Sequence, residues 1–246
     1  MNLYTKVTTH LRNGTLVDRL RSKISRIKNT KVRCRQLEAH GDVYHGQVAE
    51  NYLTIRQEQD HWHLEQEVMR NLLAELPDGI SVLDVPFGTG RFVPYYIDKQ
   101  MDICGLDSSK DMLSIARREL KSDYDDCALR LGRAEQLPYT SNNFDLVVCF
   151  RFLSHVVSFR QATAALREIN RVSRSRALLQ FRVRRDDAPA VREPLPEEPI
   201  DNRLRVKELT TLLNEVGFQV DKISYLEERE AYVRCVFACK KETNHT

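Results

Sequence analysis

The sequence predicts an α/β protein: an open, mostly parallel sheet with helices on both faces. Three observations predict it. Between Ser81 and Val183, short apolar runs rich in β-branched residues alternate with segments of helical periodicity, the pattern of strands joined by crossover helices. The stretch SVLDVPFGTGRF, Ser81–Phe92, leaves its apolar run through an acid, a proline and two glycines, as a strand does when it turns through a ligand-binding loop into a helix. Two final runs, Phe218–Tyr225 and Tyr232–Lys240, flank the acidic LEERE and read as an antiparallel hairpin closing the sheet.

The elements follow in order. With 246 residues the chain has room for one sizeable α/β domain with a decorated end. Residues 1–42 are read as a basic extension: Lys6–Arg35 holds ten Lys or Arg against the single acid Asp18. There Leu16, Leu20, Ile24 and Ile27 recur at helical spacing while the cations fall elsewhere, a basic amphipathic helix. Two uses of it stand side by side, contact with a membrane surface and packing of the stripe on this protein or its twin. The domain proper spans 43–240, opening with a helical cap over 43–76 in which Val48, Tyr52 and Ile55, then Leu64, Val68, Leu72 and Leu73, mark one or two amphipathic helices. LPDGI, Leu76–Ile80, ends it. Strands are expected at Ser81–Val85, Asp102–Leu106, Ala128–Leu131, Phe144–Phe150 and Ala177–Val183, and helices from Arg91, over Lys110–Leu120 and over Phe159–Val172. Residues 184–205, with four prolines and mixed charge, are read as a loop or lid. Helix returns over Val206–Val216 and stops at Gly217. Residues 241–246 form a polar tail.

Composition narrows the classes. No apolar run approaches the roughly 20 residues that cross a bilayer, and the amino terminus lacks the apolar block of a secretion signal, so a cytoplasmic placement is expected, with peripheral contact at the inner face of the membrane if the basic helix meets lipid. The six cysteines contain no CxxC pair and read as buried free thiols. His61 and His63 lie two apart on a helix, point in different directions and have no accompanying ligand cluster, so no metal is expected. No nucleic-acid partner is expected either, since there is no second basic domain and no aromatic-flanked proline motif.

The loop after the first strand carries the chemistry. A dinucleotide fingerprint needs glycines at 86, 88 and 91, where this chain has Pro86, Gly88 and Arg91, with its other glycine at 90. A second acid, Asp107, ends the next strand, where a carboxylate accepts both hydroxyls of a ribose. The segments VLDVPFGTGRF, ICGLDSSKDMLSIAR, LGRAEQLPYTSNNFDLVVCFRFLSHV and ALREINRVSR resemble, in order, the motifs of class I S-adenosylmethionine-dependent methyltransferases, in particular small bacterial ones related to quinone-biosynthesis methyltransferases. The resemblance covers residues 43 to 240. It implies a Rossmann-like, seven-stranded, mostly parallel sheet with an antiparallel last strand, S-adenosylmethionine as cofactor, S-adenosylhomocysteine as product and no metal.

Because that cofactor has no pyrophosphate, the loop tolerates Pro86, which stiffens the turn, while Gly88 permits close approach and Gly90 tight helix packing. The resemblance further implies that Asp84 helps place the methionine arm, that Asp107 holds the ribose with Ser108 and Met112 near the adenine, and that Cys149 and Phe150 lie beneath the cofactor. Many relatives carry an acid where this chain has Arg133; arginine accepts no hydrogen bond, so the backbone of Ala134, the side chain of Glu135, or shape alone must read the adenine. YHGQVAENYLTIR resembles the helix that closes over the cofactor, so Tyr44, Tyr52 and Arg56 are candidates for its carboxylate. His155, just after the fourth strand, is the candidate general base, with capping or packing as its plainer role. Arg151, Arg182, Arg184 and Arg185 gather where acceptors enter and point to a carboxylate or phosphate on the acceptor, or else to a basic rim paired with neighbouring acids. The leading expectation is O-methylation of an anionic sugar or lipid-linked envelope glycan of the lipopolysaccharide type. A quinone-type or other small aromatic acceptor, and a non-catalytic scaffold with this fold, are the alternatives.

Overall fold

The computed structural model describes residues 44–154, 157–189, 191–201 and 203–242. The basic extension and the end of the tail lie outside them. Seven strands form one sheet in the order β3-β2-β1-β4-β5-β7-β6: β1 is Ser81–Asp84, β2 Asp102–Asp107, β3 Cys127–Leu131, β4 Phe144–Cys149, β5 Ser173–Arg184, β6 Phe218–Glu228 and β7 Tyr232–Lys241. The first five pair in parallel, and β7 runs antiparallel between β5 and β6. Strand order reverses on either side of β1, so the loops leaving β1 and β4 diverge and open a crevice at their carboxyl ends.

Period-two alternation divides the core. Leu83, Val147, Leu179, Phe181 and Phe237 face helices α6 (Phe159–Val172) and α7 (Val206–Glu215). Val82, Leu146, Val148, Leu178 and Val236 face α3 (Asp60–Ala74), α4 (Val93–Asp98) and α5 (Lys110–Leu120). Helix α6 buries Ala162, Ala165, Leu166, Ile169 and Val172, and its three larger side chains each contribute about 1.5–3 kcal/mol by leaving water. Ser158 starts it with a capping box: its Oγ accepts from the Gln161 N–H at 3.3 Å while Gln161 Oε1 accepts from the Ser158 N–H at 3.1 Å.

Several boundaries differ from expectation. The cap is three helices, α1 (Gly46–Glu50), α2 (Tyr52–Gln57) and α3. Strand β5 begins at Ser173, which pairs with Phe144, while Arg176 pairs with Leu146 across an irregularity that holds Arg174 and Ser175; residues 174–176 are exposed and give no apolar signature. Strand β7 continues to Lys241, whose ammonium donates to the carbonyls of Asn170 and Ser173, so the tail starts one residue later. Between Arg184 and Arg205 the chain is irregular as expected, but it is fastened at the start of α6, where the Phe159 and Arg160 N–H groups donate to Glu198 and Pro196. No described helix is long and apolar enough to cross a membrane.

Candidate active site

The site grows from the loop after β1. Gly88 and Gly90 have φ of +60° and +71°, which L side chains adopt only with strain. A Cβ on Gly90 would lie 2.6 Å from Leu120 Cδ1, so here glycine also lets the loop pack against α5. Asp107, at the end of β2, ties the two loops together: Oδ2 accepts the Gly88 N–H at 2.7 Å and Oδ1 the Ser109 N–H at 2.8 Å. Beside it opens a cleft of about 290 Å³, continuous with solvent, lined by Pro86, Asp107, Ser108, Arg133, Ala134 and Glu135 together with Phe152 and Val157. The structure thus brings Asp107, Ser108, Ala134 and Glu135 to one cleft, whereas Met112, expected beside them, is not among its lining residues. Arg133 donates to Glu135 Oε1 at 3.1 Å, so the residue that departs from the family pattern is neutralised by the carboxylate beside it.

Asp84 lies deeper. It is buried, accepts a hydrogen bond from Tyr96 Oη at 3.1 Å, and burial pushes its pKa up to about 8. Met112 is buried in a small cluster with Ala49 and Ile115, where α1 docks on α5. Cys149 and Phe150 are core residues on opposite faces of the sheet, Phe150 edge-on to Phe92 at 5.0 Å. The cap reaches the second loop directly: Ser109 Oγ donates to the Tyr44 carbonyl, and the Gly46 N–H donates to Asp111 Oδ2 at 2.7 Å. Tyr44 Oη accepts from Arg56 at 3.4 Å, and the Arg56 guanidinium lies 5.2 Å from the Tyr52 ring centroid. Tyr44, Tyr52 and Arg56 therefore form one cluster above this loop.

The edge at the carboxyl ends of β4 and β5 holds a buried ionic network that sequence reading missed. Glu65, on α3, is fully buried. Its Oε2 accepts from Arg91 at 2.5 Å and from Arg151 Nε at 2.8 Å, and its Oε1 accepts from Gln180 at 2.5 Å. The guanidiniums outweigh burial and hold its pKa down, at about 2. Trp62 stacks within 4.7 Å of Arg91 and 5.1 Å of Arg151. His61 sits 3.7 Å from Glu227, with a pKa lowered to about 3, first by burial and then by Arg234, so it is neutral; His63 is exposed. Of the expected stripe, Leu72 and Leu73 are buried and Leu64 and Val68 pack partly buried against the core, so the reading was too narrow rather than displaced. His61, Glu65, Met69, Leu72 and Leu73 face inward, and the available signal was a carboxylate four residues from a histidine and four from a methionine.

Arg151 is consequently no free donor: it is committed to Glu65. Arg182 pairs with Asp201, and Arg185 with Asp187 and Glu228. Arg184 ends β5 and is buried. His155 lies outside the described residues. The cysteines that are described form no disulfide, and burial pushes the thiols of Cys127, Cys235 and Cys239 up to about 12.

This sheet order, with the loop-to-Asp107 clamp beside its switch point, is that of the Rossmann-like methyltransferase fold. Residues 82–176 match the family described as a methyltransferase domain. The demethylmenaquinone methyltransferase of Bacillus licheniformis is 37% identical over 103 residues, 41% of this chain and 43% of that protein. An uncharacterized methyltransferase, YcgJ, of Bacillus subtilis is 27% identical over 153 residues, 58% of this chain and 57% of that one. The chain thus spans only about half the length of the curated relatives it matches. Among solved structures, the 1,6-didemethyltoxoflavin-N1-methyltransferase of Burkholderia thailandensis, solved with its substrate and S-adenosylhomocysteine, superposes with a TM-score of 0.60 over 80% of this chain and 88% of that one, at 16% identity. The [4+2]-cyclase SpnF superposes with a TM-score of 0.58 over 72% and 80%, at 19% identity. Likenesses this distant establish the fold, and the name of the second shows that one fold serves different chemistry.

Proposed function

We propose that the chain transfers a methyl group from S-adenosylmethionine to a small anionic acceptor that enters over the carboxyl ends of β4 and β5. The observation that carries the cofactor half is the Asp107 clamp: a carboxylate that orders the Gly88 loop and lines the cleft with Ser108, Ala134 and Glu135. These residues fit the cofactor. Asp107 stands at the cleft where ribose hydroxyls are received, Glu135 or the Ala134 backbone receives the adenine, and Gly88 with Asp84 beneath it takes the methionine arm. Tyr52 and Arg56 cover that arm from the cap, Pro86 lines the cleft, and Gly90, Met112, Cys149 and Phe150 support it from the packed interior. When bound, the cofactor supplies a methyl group already activated by its sulfonium.

What is left to the protein is alignment and, for a hydroxyl acceptor, removal of a proton. His155 is the base in this reading, and the chain on either side of it supports the assignment, since Phe152 and Val157 both line the cleft. The edge at the end of β5 holds the buried Arg184, for which no carboxylate is found among the described residues, and this favours an acidic or phosphorylated acceptor such as an envelope sugar; the basic extension would bring the enzyme to a membrane-borne one. A quinone-type acceptor is the second reading, supported by the name of the Bacillus licheniformis relative.

Calorimetric titration with S-adenosylhomocysteine tests the proposal. Micromolar binding that Asp107→Ala weakens at least tenfold, about 1.4 kcal/mol, is the expected result. Absence of binding would leave the scaffold reading.

A further inference from the structure

Five guanidiniums stand at the acceptor edge, and the described residues neutralise four of them. Arg151 is matched by Glu65 and Arg234 by Glu227, at 3.4 Å. Arg182 is matched by Asp201 and Arg185 by Asp187. Arg184 has no carboxylate among the described residues. It is only 6% exposed, and its Nε and Nη1 are buried without a hydrogen-bond partner, although its own backbone N–H is satisfied by Leu204 at 2.9 Å.

Strand geometry places this side chain. Phe181 and Val183 enter the core with α6, so alternation puts Gln180, Arg182 and Arg184 on the other face, the face of Glu65 and the cap. On β7, Arg234 pairs with Arg182 and Tyr232 with Arg184, so both share that face, and the Arg182 guanidinium lies 5.4 Å from the Tyr232 ring centroid. A guanidinium is costly to bury uncompensated, and in water this one requires an anion or ordered solvent against its free N–H groups. We propose that Arg184 is the subsite that holds the anionic group of the acceptor, a carboxylate or a phosphate, and that the other four arginines are structural. This rests on the acceptor reading above and assigns its charge recognition to one residue. Arg184 lies at the end of the strand next to β4, so an anion held there leaves the rest of the acceptor to extend toward the loops after β1 and β4.

The test uses the full chain saturated with S-adenosylhomocysteine, with inorganic phosphate and acetate as probes and chloride of equal ionic strength as control. The expected result is a saturable rise in melting temperature with phosphate or acetate that chloride does not reproduce; the stronger probe identifies the source of the charge. Arg184→Met should weaken that binding on the order of ten- to a hundredfold, as loss of charge-assisted hydrogen bonds does. Arg184→Lys, which keeps charge without the planar fork, should fall between and decides the matter if the methionine variant does not fold. Equal stabilisation by chloride, or full probe affinity in both variants, would overturn the subsite. Wild-type protein that binds no S-adenosylhomocysteine would instead remove the cofactor reading, whatever phosphate does.

Discussion

Glu65 Oε2 accepts a hydrogen bond from Arg151 Nε at 2.8 Å across 86 positions of sequence, joining helix α3 to the turn that follows β4. The same oxygen takes Arg91 from the loop after β1, and the other oxygen takes Gln180 from β5. One carboxylate thus fastens the cap to both halves of the site.

Removing that charge should be expensive for the fold. Glu65→Gln leaves Arg91 and Arg151 buried against a neutral amide, and a loss of about 3–5 kcal/mol is expected in urea unfolding. Because the folded pKa of Glu65, about 2, lies below its usual 4.5, the wild type should hold this contribution above pH 4.5 and lose it as pH falls toward 2. An unfolding midpoint unchanged by the substitution would show that the network contributes nothing net.

Asp84 has the opposite sign. Its folded pKa of about 8 exceeds the usual 3.8, so the folded protein binds the extra proton, and stability declines as pH rises from about 4 to about 8. Asp84→Asn keeps the shape without the titration. The stability of the variant relative to wild type should therefore rise between pH 5 and pH 8.5, and parallel curves would rule out a raised pKa.

The two loop glycines should differ. Gly90→Ala combines a positive φ with a 2.6 Å contact to Leu120 and should cost about 2–4 kcal/mol. Gly88→Ala has a positive φ but only a 3.7 Å contact with Met112, and should cost about 1–2 kcal/mol. Thermal unfolding of both variants checks the order, and a larger loss at Gly88 would reverse the packing argument.

For His155, the expected result of substitution by alanine is a hundred- to ten-thousandfold fall in turnover, about the range of general base catalysis, with S-adenosylhomocysteine affinity unchanged. Undiminished single-turnover rates would take the imidazole out of the mechanism.

The strand–helix alternation, the loop around Gly88 and Gly90 and the acid at 107 were legible in the sequence, because local periodicity and turn chemistry record which backbone conformation each residue tolerates. The resemblance of four ordered motifs extended this to the seven-stranded sheet and to the residues that line the cleft. The sequence by itself therefore determined the fold of the domain and the residues that gather around the Asp107 loop. Only the tertiary structure decided which arginines are occupied. Glu65 pairs with residues 26 and 86 positions away, Arg182 is claimed by Asp201 from the proline-rich segment, and Arg184, opposite Tyr232 in the register of β5 against β7, has no carboxylate among the described residues. Charge pairing depends on distance and burial in three dimensions, and a periodicity reading that follows apolar residues passes over a carboxylate buried beside its stripe on α3.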